Sequence, residues 1–285
     1  MAYRRYLQLD VFANRPGTGN PLGVVLDATG LNTAAMQTLA AWLNLSETIF
    51  FLPPDAGADY RIRIFTPGSE LPFAGHPSVG AAWTAVTHGI AAPRDDELIQ
   101  QCAAGLLPVR VEDGTPLQIE VRSPRGQCVD DTPAIPPVGL NGITATATLW
   151  TNGPAWWLVQ AGCAEQIRNL RPDLAAIAAW TNATAATGVA VFATEPAADH
   201  DLVVRAFCPG DAVNVPEDPV TGSANALIAA LLHREGRLPG QDGRYVASQG
   251  RELGRDGKVS VRVDAGGDVW IGGQVQPIIN GQLDW

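Results

Sequence analysis

"RIFTPGSELPFAGHPSVGAA" (residues 63–82) and "RAFCPGDAVNVPEDPVTGSA" (residues 205–224) decide the fold. Laid one over the other without a gap, they share seven of 20 positions at an offset of 142 residues: Arg, Phe, Pro, Gly, Pro, Gly and Ala. The offset is almost half of the 285-residue chain, so the match reads as a duplication. Each half then holds a strand, a turn and a helix begun through a proline. In this register Pro77 and Pro219 stand near equivalent first helical positions, where a missing N–H costs nothing. His76 and Asp218 precede them in the capping position, and Gly80 and Gly222 fall in the first turn.

The helix after Pro219 is apolar on nearly every side until His233, Arg234 and Glu235, with Gly236 as its stop. A helix apolar all round is buried. Its N-terminus presents unpaired N–H groups inside the protein, and such an end takes an anion, a carboxylate or phosphate.

Around this pair, "TAAMQTLAAWL" (33–43) reads as a helix, while "ETIFFLPP" (47–54), "DYRIRIFTP" (59–67), "AWWLVQAG" (155–162), "GVAVFAT" (188–194) and "DLVVRAFCP" (201–209) read as strands. The fold class is α+β: two pseudo-symmetric halves, each a mixed sheet wrapped around a central helix. The Pro-rich "DDTPAIPPVGLNG" (130–142) is the expected linker. It gives halves of 1–129 and 130–285, with a terminal strand near 269–277 crossing back to the first.

Composition narrows the function. Hydrophobic residues make up 46% and charged residues 17%, which is a globular chain and not a disordered one. A net charge of -10 argues against an electrostatic grip on nucleic acid or an anionic membrane, yet permits a locally positive site for a small anion. Cys102, Cys128, Cys163 and Cys208 lie far apart, with no C-x-x-C pair and no His at ligand spacing. That pattern points to reduced thiols in the cytoplasm and to no metal site. The N-terminus lacks an apolar run of signal length, and no segment is long and apolar enough to span a bilayer.

Glu47 opens an apolar strand in "NLSETIFFLPP" (44–54). It reads either as a surface residue of an edge strand or as a general acid/base whose pKa is raised at the rim of an apolar layer. His76 is a helix cap or a donor to a substrate oxygen. Asp218 is an N-cap, a second acid/base, or both cap and ligand contact. Ser223 bonds a ligand or is merely small at a crowded helix start, and Gly222 acts through its N–H.

Taken together, "DVFANRPGTGNPLGVVLDA", "NLSETIFFLPP", "YRIRIFTPGSELPFAGHPSVGAAW", "EDPVTGSANA" and "QGRELGRDGKVSVRV" resemble the phenazine-biosynthesis-like (PhzF-like) family, in that family's order and over nearly the whole chain. The resemblance implies the diaminopimelate-epimerase-like fold, with two similar halves, each a curved sheet around a central helix, and an active site in the cleft between them. It implies an isomerase without a cofactor. Glu47 matches the family's proton-moving glutamate, and His76, Asp218 and Ser223 match the motif positions that surround the substrate, beside Gly222 with its N–H. It also implies a possible homodimer. Related epimerases use two cysteines, one at each central helix. Here Cys208 lies ten residues before Asp218 and "PFAGHP" holds none, which disfavours that chemistry. A cofactor-independent epimerase using Glu47 with Asp218, and a non-catalytic binding protein on the same fold, are the competing expectations.

Overall fold

The computed structural model describes residues 3–112, 114–136, 139–143, 145–197, 199–211 and 215–285. The chain forms two compact units, one running to Arg122 and joined by Gly272–Trp285, the other Ser123–Ile271.

The first unit begins with β1 (Tyr3–Val11), β2 (Asn20–Val25), α1 (Thr33–Leu43), β3 (Glu47–Leu52) and β4 (Tyr60–Phe65). It continues with β5 (Glu70–Leu71), α2 (Gly75–Thr87), β6 (Glu97–Cys102), β7 (Gly105–Glu112) and β8 (Gln118–Arg122). The pairs β1–β2 and β3–β4 are antiparallel, whereas β2–β3 and β4–β6 are parallel. Helix α2 touches β1, β2, β3, β4, β6, β7 and β8, so the strands wrap around it. Its small residues Ser78, Gly80, Ala81, Ala82 and Ala85 are buried, which lets strands approach it from every side. Helix α1 packs on β3 and β4 and adds Met36 and Leu39 to a cluster with Phe50 and Phe65. With helices on both faces, the middle of β3 is buried on both sides: Thr48, Ile49, Phe50 and Phe51 are all buried.

The second unit repeats this plan with β9 (Gln127–Ala134), β10 (Ala147–Thr151), β11 (Ala155–Gln160), α3 (Ala164–Arg168), α4 (Leu174–Ala183) and β12 (Gly188–Thr194). Then come β13 (Leu202–Cys208), β14 (Val215–Asp218), α5 (Gly222–Arg234), β15 (Arg244–Gln249), β16 (Gly257–Val263) and β17 (Val269–Gly273). The pairs β11–β12 and β13–β15 are parallel, as β2–β3 and β4–β6 are. Helices α3 and α4 pack on β12 and β13, the counterparts of β3 and β4. The last strand, β18 (Val275–Asp284), belongs to the first unit and pairs antiparallel with β1. Strand β9 pairs antiparallel with β10 in the same manner. Each unit is thus completed by the strand that follows the other unit's strands in the chain. The expected linker 130–142 begins inside β9, and its residues 137 and 138 lie outside the described ones. The Pro-rich stretch does not keep Asp130–Ala134 out of the sheet, because β9 pairs with β10.

The duplication is real in the strands, but its register shifts before the helices. Arg63 makes a bidentate ion pair with Glu70 and lies over Phe65. Arg205 does the same with Glu217 and Phe207. Arg63, Phe65 and β4 match their partners at the offset of 142, whereas Glu70 and the helix starts Gly75 and Gly222 match at 147. Five extra residues in the second unit explain this. Pro77 and Pro219 are consequently not equivalent: Pro77 lies in the first turn of α2, and Pro219 precedes α5. The caps are Ala74 and Thr221, not His76 and Asp218, and Gly80 lies in the second turn. Among the described residues no helix is long and apolar enough to cross a membrane.

Candidate active site

Glu47 is the first residue of β3, in register with Leu22 of the parallel β2. His76 is in the first turn of α2. The two elements bring His76 Nδ1 to 3.4 Å from Glu47 Oε2, with side chains only 5% and 17% exposed. This is not an ion pair. Burial pushes the His76 pKa from 6.5 down to about 3, and a hydrogen bond with the Pro21 backbone only partly opposes that. Proline has no N–H, so its carbonyl must accept from a ring N–H. A neutral imidazole therefore faces the Glu47 carboxyl, and the distance is longer than a charge-assisted bond would give.

This has a measurable consequence. The folded-state pKa of His76 lies below the unfolded value, so the unfolded chain takes up the proton first as pH falls. Stability from this group is present above about pH 6.5 and is lost progressively toward pH 3, at about 1.4 kcal/mol per pH unit. His76→Gln is expected to flatten that slope between pH 6 and pH 4 in denaturant unfolding. Equal slopes for variant and wild type would show that His76 titrates normally when folded.

In the second unit, Asp218 ends β14, opposite Ala206 of β13. Its Oδ2 accepts from Thr221 Oγ1 at 2.7 Å. Thr221 is the N-cap of α5 but gives the helix no side-chain bond, since its hydroxyl is turned to Asp218. Gly222 and Ser223 are the first two residues of α5, and both are half-buried. Helix α5 thus begins without a side-chain cap, and the amides of its first turn lack intrahelical partners. The buried Gln249 locks this end. Its Nε2 donates to Asp218 O at 3.0 Å and Thr221 Oγ1 at 2.9 Å, while its Oε1 accepts from Thr221 N and Asn225 Nδ2. Gly250 has φ +82°, and a side chain there would strike the Pro219 carbonyl.

Five residues singled out in the sequence therefore fall into two groups, Glu47 with His76 in one unit and Asp218, Gly222 and Ser223 in the other. Thr221, Asn225 and Gln249, which fix the start of α5, are not among the residues that the sequence singles out. Asn225, fully buried in an otherwise apolar helix, was the visible signal, because a buried amide must find partners.

A family model described as phenazine biosynthesis-like protein matches residues 9–281. The chain is 32% identical to Antisense-enhancing sequence 1 of Schizosaccharomyces pombe, over 99% of both proteins. It is 34% identical to trans-2,3-dihydro-3-hydroxyanthranilate isomerase of Pseudomonas aeruginosa, over 93% of this chain and 92% of that one. In fold it resembles the crystal structure of a PhzF-family phenazine biosynthesis protein of Bacillus anthracis, with a TM-score of 0.86 and 23% identity over 99% of both chains. With its duplicated sheet-and-helix units and a match of this extent, the chain belongs to the phenazine-biosynthesis-like family and is an isomerase of that family.

Proposed function

We propose that the protein is a cofactor-independent isomerase that moves a proton between carbons of a small carboxylated metabolite, with Glu47 as general acid/base. The observation that carries this reading is the Glu47–His76 pair and the lack of a counterpart in the second unit. Thr48 pairs with Phe65 as Val189 pairs with Phe207, so Gly188 stands where Glu47 stands in the first unit. A Cβ at Gly188 would come within 2.5 Å of Trp156 Cζ3. One carboxyl that takes a C–H proton and returns it to another carbon suffices to shift a double bond, and no co-reactant is consumed. Epimerisation by two bases calls for a second group, which this position does not offer. Asp218, bonded to Thr221, is assigned to substrate binding together with His76, Gly222 and Ser223.

The test is deuterium uptake. Pure protein is incubated in heavy water with a panel of carboxylated metabolites that includes trans-2,3-dihydro-3-hydroxyanthranilate, the compound in the name of the Pseudomonas aeruginosa relative. Deuterium appearing at a new carbon, with the double bond moved, supports the reading. Uptake only at an inverted centre identifies an epimerase, and no uptake across the panel leaves a binding protein as the better account.

A further inference from the structure

A threonine at the N-cap of a helix normally turns its hydroxyl onto the free amides of the first turn. Thr221 does not: its hydroxyl donates to Asp218 Oδ2 at 2.7 Å. Gln249, 1% exposed, donates through Nε2 to that same hydroxyl oxygen at 2.9 Å. Two backbone groups fix the orientation of the Gln249 amide. Its Oε1 faces Thr221 N at 3.1 Å, which can only donate, and its Nε2 faces Asp218 O at 3.0 Å, which can only accept. Asn225 Nδ2 donates to Oε1 as well. A flipped amide would set N–H against N–H and carbonyl against carbonyl. The first unit offers a comparison. There the buried Gln100 donates through Nε2 to Ser78 Oγ at 2.9 Å, and Ser78 Oγ donates to Ala74 O at 2.8 Å. Ala74 is the N-cap of α2. A chain from glutamine through a hydroxyl thus ends on a backbone carbonyl in one unit and on a carboxylate in the other.

We infer that Gln249 is a positioning residue for Asp218: it keeps the Thr221 hydroxyl on the Asp218 carboxylate instead of on the amides of α5, and so holds Asp218 in one rotamer. The three atoms that Gln249 grips in this turn are Asp218 O, Thr221 N and Thr221 Oγ1. They fix the backbone between β14 and α5 and the direction of the hydroxyl together. Without Gln249 the hydroxyl loses its buried donor, and the usual capping bond to an α5 amide competes with the bond to Asp218. A carboxylate released from that bond spends less time in its present rotamer and must be ordered again when a ligand binds, at a cost in affinity. The effect on a ligand rests on the assignment of Asp218 to substrate binding. It falls on affinity and not on proton transfer, which is assigned to Glu47.

NMR couplings from Asp218 Cγ to its backbone nitrogen and carbonyl carbon report its χ1 angle. They would be measured in wild type, Gln249→Met, Thr221→Val and Thr221→Ser, with thermal unfolding alongside. Methionine fills the length of glutamine but has no amide. Gln249→Glu, which keeps the shape and lacks the NH2 group, is the second variant in case Gln249→Met does not fold. Wild type and Thr221→Ser are expected to show one rotamer, and Gln249→Met and Thr221→Val averaged couplings. Gln100→Met is the control: it should lower the melting temperature and leave the Asp218 couplings at wild-type values, because its chain ends on Ala74 O. Turnover of trans-2,3-dihydro-3-hydroxyanthranilate, the compound in the name of the Pseudomonas aeruginosa relative, gives the second readout. KM should rise at least about tenfold in Gln249→Met and Thr221→Val with kcat within about threefold, the pattern of lost binding. Thr221→Ser should stay near wild type. The double variant of Gln249 and Thr221 should lose nothing further, because the two residues act through one chain of bonds. A folded Gln249 variant whose Asp218 keeps a single rotamer, or whose KM is that of wild type, would leave Gln249 a purely structural role and overturn the inference. Wild type that moves no proton in this compound or the rest of the panel would remove the proposed isomerisation, and the couplings alone would then decide whether Gln249 holds Asp218. The two failures are therefore distinguishable.

Discussion

Glu47→Gln is expected to slow deuterium incorporation and turnover by at least about a hundredfold, the usual scale for loss of a positioned general acid/base. The amide preserves the size of the side chain, so β3 and the contact with His76 keep their shape. It removes the carboxyl beside His76 that can both take and return a proton. His76 cannot replace it as an acid, because burial holds its pKa near 3 and the ring is neutral through the working range. Substrate affinity should change far less than turnover, since the residues proposed to bind the substrate are untouched. Loss of turnover with little change in binding is the signature of an interaction used chiefly in the transition state. Glu47→Asp should also be slow, because withdrawing the carboxyl by one methylene takes it from its near-attack position. A Glu47→Gln protein that exchanges deuterium at the wild-type rate would remove Glu47 as the base and make Asp218 the next candidate.

The parts of this fold that the sequence makes legible are those dictated by continuous apolar runs. Residues 33–43 and 188–194 form the helix and strand read from them, with the same bounds. Strand β6, "ELIQQC", mixes polar residues into its pattern because Gln100 is fully buried through hydrogen bonds to Tyr60 and Ser78. Strand β18 contains a proline, a glycine and asparagine, all poor strand formers, and is held by its partner β1. The gapless repeat misplaced both caps because five extra residues in one copy leave the strands aligned and move the helix start. The site divides likewise. Glu47 and His76 were identified as candidates, but a contact spanning 29 residues cannot be read from local pattern. Gln249 reaches Thr221 and Asn225 from a different strand, and nothing in "YVASQG" announces it.

Glu217→Gln is expected to destabilise the protein by about 3–5 kcal/mol, and the equivalent change Glu70→Gln by about 1 kcal/mol or less. The two ion pairs share one geometry but not one environment. The side chains of Arg63 and Glu70 are 21% and 29% exposed, so water can solvate Arg63 when its partner loses charge. Those of Arg205 and Glu217 are 6% and 9% exposed. Arg205 also donates through Nη1 to the carbonyls of Ile167 and Leu170, at the end of α3, and cannot swing out to solvent without breaking them. Neutralising Glu217 therefore leaves a buried cation with no counter-charge, which costs much more than the pair itself contributes. Changing both members, Arg205→Met with Glu217→Leu, should recover a large part of the loss, because an apolar pair needs no counter-charge. The damage would extend to the site: Glu217 anchors β14, and the next residue is Asp218, which bonds Thr221 at the start of α5. Denaturant unfolding of the three variants decides the matter. Equal losses for Glu70→Gln and Glu217→Gln, or a double variant no better than the single, would show that the strand pairing rather than the buried charge sets the stability of this corner.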